Sequence, residues 1–130
     1  MFSHVTFGTN DLARAAAFYD PLMARLGLRR IESDPGHGLI GYGTHPEATP
    51  QFYLMKPFDG APATIGNGAM AAFEAQDRAT VDDFHRIALE HGGHCEGPPG
   101  LRPHYHPDYY GTYVRDPDGN KLCCVCHRPA

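Results

Sequence analysis

The segment LRPHYHPDYYG, residues 101–111, concentrates side chains suited to chemistry in this 130-residue chain. Its candidate functional residues are Arg102, His104, Tyr105, His106, Tyr109 and Tyr110. Histidine can transfer a proton near neutral pH, while tyrosine offers a flat apolar ring with a hydroxyl at its edge. Arginine binds carboxylates or phosphates through its planar guanidinium. The segment predicts the lining of a small-molecule site or, since tyrosine and arginine are also common at interfaces, a contact between subunits.

Four cysteines provide a second set of reactive atoms. In the absence of a second cysteine cluster they predict neither a zinc knuckle nor a disulfide framework. Alternation along the last predicted strand places Cys123 and His127 on one face and Cys124 and Cys126 on the other, where small core side chains are expected. Cys123 has an alternative interpretation as a nucleophile, provided that a neighbouring histidine lowers the pKa of its thiol.

An internal repeat indicates which elements position these side chains. Residues 4–27 align without a gap on residues 70–93. The identities in this alignment are Phe7 with Phe73, Asp11 with Asp77, Ala13 with Ala79, Phe18 with Phe84 and Gly27 with Gly93. Each copy is typical of a strand, an aspartate at the turn, a helix and a terminating glycine, and Asp11 is expected to cap the first helix. Because a solenoid needs at least about three repeats, two copies indicate a duplicated half-domain, with a ligand site expected at the seam.

The complete pattern predicts two successive βαβββ modules in one α+β domain, residues 1–130. The first module covers about residues 1–57, a Gly- and Pro-rich linker covers 58–68, and the second module covers about 69–130. Pro21 is expected to kink or split the first helix. Residues 97–111 are expected to form a long loop, which leaves the second strand of the second module poorly defined.

Composition excludes several classes of partner. A net charge of −4 and a pI near 6.1 give no electrostatic reason to expect binding to nucleic acid or to an anionic membrane. The N-terminal sequence lacks the basic start and the apolar core of a signal peptide, and no apolar run approaches the length of a membrane span. A cytoplasmic location is therefore expected.

The opening HVTFGTNDLARAAAFYDPLMARLGL and the closing DPDGNKL together resemble the vicinal oxygen chelate superfamily. This group contains glyoxalases, bleomycin-resistance proteins and extradiol dioxygenases. The resemblance covers essentially the whole chain. It implies two βαβββ modules that are related by a pseudo-twofold axis and curl into a half-open barrel around a cavity. It also implies a homodimer.

The resemblance further implies four positions for metal ligands, two on the first strands of the modules and two on the last. The first-strand positions are His4 and Met70, and aligning FYLMKP on LCCVCH makes Tyr53 and Cys123 the last-strand positions. All four are expected to face one cavity. Family members draw their ligands from His, Glu and Gln, which suit Zn, Ni, Fe or Mn, and only His4 matches. The inherited metal site is therefore predicted to be lost, with no cofactor.

A divalent transition metal stays an alternative, because a soft His, Met and Cys set could bind copper or loop histidines could join it. The leading prediction is a small-molecule-binding protein without the metal, its ligand being modest in size and polar or aromatic. The predicted binding residues are Tyr42, Tyr53, Met70, Arg102, Tyr105, Tyr109, Tyr110 and Cys123, and the predicted acid–base residues are His4, His104 and His106. The other hypotheses are a metal-dependent lyase or dioxygenase with rearranged ligands, and a drug-sequestering protein that returns its ligand unchanged.

Overall fold

A computed structural model describes all 130 residues as two modules of the same element order, which confirms the predicted α+β class. The first module contains β1 (His4–Gly8), α1 (Leu12–Arg25), β2 (Arg29–Asp34), β3 (Leu39–Gly43) and β4 (Gln51–Met55). The second contains β5 (Ala71–Glu74), α2 (Arg78–Glu90), β6 (His94–Leu101), β7 (Tyr110–Arg115) and β8 (Lys121–Cys126). Neither α-helix combines the length and the apolar sequence that crossing a membrane requires.

Each module forms its own four-stranded sheet, in the orders β1-β4-β3-β2 and β5-β8-β7-β6. The pairs β1–β4 and β5–β8 are parallel, and the other pairs are antiparallel. Thr6 lies opposite Tyr53 in the first sheet, and Ala72 lies opposite Cys123 in the second. The sequence alignments match Thr6 with Ala72 and Tyr53 with Cys123. The parallel strand pairs of the two modules therefore have the same register.

The aspartates of the repeat begin the two helices. A side-chain oxygen of Asp11 accepts a hydrogen bond from the backbone amide of Arg14 at 3.0 Å. Asp77 accepts one from the amide of Thr80 at 2.8 Å. Each aspartate thereby satisfies an amide that has no partner within its helix.

Pro21 does not split the first helix, contrary to one sequence expectation. Helix α1 runs through it without interruption. Proline lacks the amide that would bond to the carbonyl of Ala17. Since Ala17 is exposed, water can satisfy that carbonyl, and the helix tolerates the missing hydrogen bond.

The expectation of an unstructured segment over residues 97–111 is wrong for its first part. Residues 94–101 form β6, the longest strand of the protein, although this strand contains Pro98 and Pro99. It lies at the edge of the second sheet, and its register shifts between Cys95 and Gly97 and again between Gly97 and Gly100. Proline is tolerated at sheet edges and at irregularities of register, because a backbone N–H is not required there for a hydrogen bond to an adjacent strand. Within residues 97–111, irregular backbone is confined to residues 102–109, because Tyr110 and Gly111 begin β7.

One hydrophobic core serves both modules. Helix α1 packs on the first sheet, helix α2 packs on the second, and the two helices pack on each other. Cys124 and Cys126, at 0% and 1% exposure, belong to this core, as predicted. Strand alternation sends every second side chain to the opposite side of each sheet, where no helix packs. That helix-free side is termed the open face.

The DPDG turn between β7 and β8 joins the two modules. The carboxylate of Asp118 accepts hydrogen bonds from the Thr9 hydroxyl, from the Asn10 amide at 3.0 Å and from Arg14 Nη2 at 2.8 Å. All three donors belong to the segment that connects β1 to α1 or to the first turn of α1. The turn therefore attaches the second module to the start of the first helix.

Asp116 lies beneath this turn and is almost fully buried, at 4% exposure. Its carboxylate accepts hydrogen bonds from the Tyr19 hydroxyl at 2.6 Å, and from the amide of Asp118 and both the amide and the side chain of Asn120, each at 2.9 Å. Burial raises the pKa of Asp116 above its ordinary value, although the Tyr19 and Asn120 hydrogen bonds act to lower it. The group connects the first helix to the last hairpin through a buried polar network.

Candidate functional site

Aromatic and sulfur groups meet on the open face of the second sheet. Tyr113 and Cys123 lie opposite each other on β7 and β8. The Tyr109 hydroxyl is 3.0 Å from the Tyr113 hydroxyl and 3.6 Å from Cys123 Sγ. A Cβ atom on Gly111 would come within 2.9 Å of the Tyr109 ring, so this ring requires glycine at residue 111.

His106 and His127 form a hydrogen-bonded pair beside these tyrosines. The backbone amide of Asp108 donates to His106 Nδ1 at 3.1 Å, which assigns the proton of that imidazole to Nε2. His106 Nε2 then donates to His127 Nδ1 at 2.8 Å. When both imidazoles are neutral, His127 carries its proton on Nε2. The nitrogen lone pair of each ring then already accepts a hydrogen bond, that of His106 from the Asp108 amide and that of His127 from His106. The pair presents a hydrogen-bond donor rather than a free base.

The rings of these side chains form one contiguous surface. The tyrosine–histidine cluster comprises Tyr105, His106, Tyr109, Tyr113 and His127. Ring centres are 4.8 Å apart between Tyr105 and Tyr109, 5.5 Å between Tyr109 and His127, and 5.1 Å between the two histidines. Tyr105 is 60% exposed, and its ring centre is 4.2 Å from that of His104. The cluster therefore presents aromatic surface to solvent.

Two cations border the cluster. The Arg102 guanidinium lies 5.7 Å and the Lys121 ammonium 5.4 Å from the centre of the Tyr113 ring. Arg102 Nη2 donates to the carbonyl of Pro98 at 2.7 Å, which orients the side chain along β6. Neither cation forms an ion pair with a carboxylate. Neither positive charge is therefore matched by a directly contacting carboxylate of the chain.

The Cys123 thiol lies at the base of this arrangement and is fully buried. Burial raises its pKa, outweighing hydrogen bonds from Tyr109 and Tyr113 that act to lower it. Burial also raises the pKa of Cys124 to about 12. Because the thiolate is the nucleophilic form, the environment of Cys123 argues against the nucleophile hypothesis.

Thiol titration tests this burial. At pH 7.5 only Cys95 is expected to react promptly with a disulfide reagent, because it is exposed and the other three thiols are buried. In denaturant all four should react. A Cys95→Ser variant provides the control and should leave the native protein without a fast-reacting thiol. Fast reaction of any thiol in that variant would contradict the buried, protonated state expected for Cys123 and its two neighbours on β8.

The open face of the first sheet carries a smaller group. The rings of His4 and Tyr53 are 5.5 Å apart, and the Tyr53 hydroxyl donates to Gln51 Oε1 at 2.8 Å. A Cβ atom on Gly41 would clash with the Tyr53 ring. Tyr53 thus requires glycine beneath it just as Tyr109 requires Gly111, although the two tyrosines come from different elements. Each open face contains one such tyrosine–glycine contact.

Two predicted site residues lie on the opposite side of the sheets. The Tyr42 hydroxyl donates to Asp20 of α1, and the Tyr110 hydroxyl donates to Asp82 of α2, both at 2.6 Å. The expectation that these tyrosines face the same cavity as Tyr53 is therefore corrected. Strand alternation explains the difference, because Tyr42 and Tyr110 directly neighbour the open-face glycines.

Met70 lies away from both groups on the open faces. It is 44% exposed and lines an apolar cavity of about 570 Å³ together with Tyr42, Phe2, Val5 and Phe73, so two of the predicted binding residues share this cavity. None of His4, Tyr53 and Cys123 lines this cavity. No ring contact or hydrogen bond joins the His4–Tyr53 pair to Cys123, so contacts within one chain do not unite the four expected positions.

The sequence analysis placed Arg102, Tyr105, His106 and Tyr109 in one segment, and the structure brings their side chains near Cys123. It missed Tyr113 and Lys121 as members of the same face. A signal for both was available. A tight hairpin at the DPDG turn pairs Tyr113 with Cys123, and alternation places Lys121 on the side of Cys123.

Comparison with known proteins agrees with this architecture. The family model described as Glyoxalase/Bleomycin resistance protein/Dioxygenase superfamily matches residues 1–124. The chain belongs to this superfamily. The resemblance noted from the opening and closing motifs is thereby confirmed.

Solved structures of the superfamily match over nearly the whole chain. A glyoxalase/bleomycin resistance protein from Albidiferax ferrireducens T118 is 39% identical, with a TM-score of 0.85, covering 97% of this chain and 98% of that one. A lactoylglutathione lyase from Agrobacterium tumefaciens is 23% identical, with a TM-score of 0.66 and coverage of 97% and 92%. A superfamily enzyme from Burkholderia phytofirmans PsJN is 19% identical, with a TM-score of 0.73 and coverage of 97% and 98%. No curated protein matches in sequence.

The residues at the superfamily's metal positions do not fit a divalent ion. Only His4 among them is a usual ligand, and the thiol of Cys123 is buried beneath tyrosine hydroxyls rather than ionised. No group of three or more His, Cys, Asp or Glu side chains is arranged to hold a metal. His106 and His127 are already hydrogen-bonded to each other and provide only two of the three or four protein ligands usual for zinc.

Proposed function

We propose that this protein binds a small molecule on the open face of its second sheet, and that it does so without the metal ion of its superfamily. The observation that supports this most directly is the position of the Tyr109 and Tyr113 hydroxyls. They lie over Cys123, the residue at one expected metal-ligand position. A ligand on this face would contact phenol groups where related enzymes would offer a metal.

The composition of the face supports binding through aromatic contacts and hydrogen bonds. Ligand sites usually combine apolar and aromatic walls with a few well-placed polar groups. The tyrosine–histidine cluster supplies the walls, and the hydroxyls, the His127 imidazole and the two cations supply the polar groups. Small-molecule binding therefore accounts for a set of side chains that packing alone would not require on an exposed face.

The hydrogen bonds of the histidine pair favour binding over proton abstraction. A general base needs an unoccupied lone pair within reach of the substrate. The lone pairs of His106 and His127 are both engaged, whereas His104 has no hydrogen-bond partner. A binding protein that returns its ligand unchanged is thus the form of the proposal that these contacts favour, and His104 is the residue to substitute if turnover is found.

Fragment screening by NMR, with and without a chelator, tests the proposal. Aromatic fragments are expected to shift signals of residues 102–113 and 121–127 equally in both conditions. Tyr109→Ala should weaken the best fragment at least tenfold. Tyr53→Phe, on the other open face, provides the control and should leave affinity unchanged.

A metal-dependent lyase or dioxygenase predicts the opposite result. Its activity would be lost with the chelator and restored by one divalent ion, and protein purified without a metal-affinity tag would contain about one equivalent of transition metal. Either finding would overturn the metal-free proposal. The similarity to the Agrobacterium lyase makes this the relevant competing function.

We further propose that the protein is a homodimer. The outer edges of β1 and β5 have no hydrogen-bonded neighbour, and the apolar cavity beside them exposes Phe2 and Met70. Unpaired strand edges beside apolar surface favour association with a second copy. Light scattering should give twice the chain mass. Met70→Glu should shift the protein to monomer, and the matched control Leu89→Glu on α2 should not; a monomeric wild type would contradict the proposal.

A further inference from the structure

We infer that the ligand of the tyrosine–histidine cluster is a small aryl carboxylate: a planar ring that stacks on the cluster and a carboxylate that meets Arg102 and Lys121. This inference rests on the proposed function and specifies its ligand class. It follows from three properties of the face: the sign of its charge, the polarity of its hydrogen-bonding groups and the shape of its exposed surface.

The charge of the face selects an anion. The cationic groups of Arg102 and Lys121 lie within 6 Å of the same ring centre, that of Tyr113, and neither is paired with a carboxylate. Two carboxylates of the neighbouring elements contact other arginines. Asp108 lies 4.0 Å from Arg78, and Glu96 accepts from Arg115 at 2.8 Å.

The hydrogen-bond polarity of the face selects an acceptor. In the assigned tautomers the histidine pair offers only the Nε2 proton of His127. Arg102 uses one nitrogen to bond to Pro98, which leaves other guanidinium N–H groups free. Lysine carries three donors and no acceptor. A ligand that met these groups with its own donors would leave them unpaired.

The shape of the face selects a planar ligand. Tyr105 is 60% exposed, and its ring makes tilted contacts with His104 and Tyr109, so one stretch of aromatic surface stays open to solvent. Planar rings stack on such surfaces more favourably than puckered ones because their faces match. A guanidinium also meets a carboxylate in a bidentate fork, which a carboxylate on a planar ring presents in a fixed direction.

Four probes separate charge from ring shape. Benzoate carries both features, benzamide only the ring, cyclohexanecarboxylate only the charge on a puckered ring, and acetate only the charge. Titrations followed by NMR at low ionic strength should show benzoate binding at least tenfold more tightly than each of the others. The protein signals that benzoate shifts should be those of residues 102–113 and 121–127. Raising the salt concentration should weaken benzoate and leave benzamide unchanged.

Variants assign the charge to its residues. Arg102→Gln should weaken benzoate at least tenfold while changing benzamide less than twofold, and Arg102→Lys should fall between wild type and Arg102→Gln because it keeps the charge without the fork. Arg86→Gln on α2 removes an exposed arginine outside the face and should change neither affinity. Lys121→Gln provides a second test if Arg102→Gln does not fold.

The outcomes distinguish this inference from the proposed function. Benzamide binding as tightly as benzoate on this face would overturn the aryl carboxylate and leave small-molecule binding intact. Benzoate failing to bind at 10 mM while neutral fragments shift the cluster would have the same meaning. If no fragment of any charge shifts the cluster, both proposals fail.

Discussion

An Asp116→Ala variant is expected to lose about 3 kcal/mol or more of unfolding free energy, among the largest effects of any single substitution in this protein. The substitution removes the acceptor of four hydrogen bonds inside the joint between the modules. Each buried donor left unpaired costs about 1–3 kcal/mol. Because small domains have only about 5–15 kcal/mol of stability, the variant should be substantially destabilised.

Graded substitutions test the same network. Tyr19→Phe removes one donor and leaves the carboxylate with three, so its cost should be about 1–2 kcal/mol. Asp116→Asn keeps an acceptor and should lie between these two. Urea unfolding followed by circular dichroism provides the free energies, and Glu47→Ala, at an exposed residue without a side-chain partner, is the control. A loss below about 1 kcal/mol for Asp116→Ala would contradict the role of this network.

The raised pKa of Asp116 also predicts a pH dependence. The folded protein retains this proton at pH values where the unfolded chain has released it, so the proton stabilises the fold at low pH. That contribution is lost as the pH rises through the folded pKa. Since asparagine cannot titrate, the difference in stability between wild type and Asp116→Asn should change over this interval, and a constant difference would argue against a raised pKa.

A Gly93→Ala variant is expected to be destabilised by about 2–3 kcal/mol, toward the upper end of the cost of overpacking a core. A Cβ atom at this position would lie 2.8 Å from the carbonyl oxygens of Ala88 and Arg115 and from Phe18 Cε2. Two of these three atoms are backbone and cannot rotate away. The end of α2, the end of β7 and helix α1 would all have to move apart.

Gly36→Ala is the matched control for this substitution. The nearest atom to its added methyl group would be Asp34 Oδ1 at 3.6 Å, and Gly36 does not adopt a positive φ. Its stability should therefore stay unchanged or rise by about 0.4–1 kcal/mol, since alanine reduces the entropy of the unfolded chain. Thermal unfolding of both variants measures the contrast. Equal melting temperatures would show that the space around Gly93 is not restrictive.

The glycines of the repeat illustrate how far sequence alone reaches. The alignment pairs Gly27 with Gly93 and interprets both as helix terminators. Gly27 does have a φ of 77° with no atom near its Cβ position. At the second helix the positive φ belongs to Gly92, while Gly93 is required by close packing. The same residue type thus meets a local requirement in one module and a long-range one in the other.

The sequence by itself determined the features that depend on near neighbours along the chain. Asp11 and Asp77 cap the helices that follow them, and strand alternation separates Cys123 from Cys124. The duplicated pattern was enough to identify the α+β fold and the equivalent residues on the first and last strands of the two modules. These features rest on hydrogen bonds and periodicity within a few residues, so local sequence is sufficient to predict them.

Only the tertiary structure decided which chemical groups meet. It recruited residues 94–101 into an edge strand, directed Tyr42 and Tyr110 toward the helices, and placed Tyr113 beside Tyr109. It also turned a DPDG hairpin into the joint between modules through Asp118. Such contacts join residues far apart in the chain, and their geometry depends on how both modules pack around one core. Periodicity and capping contain no information about that packing, which is why the contacts within the candidate site became visible only in three dimensions.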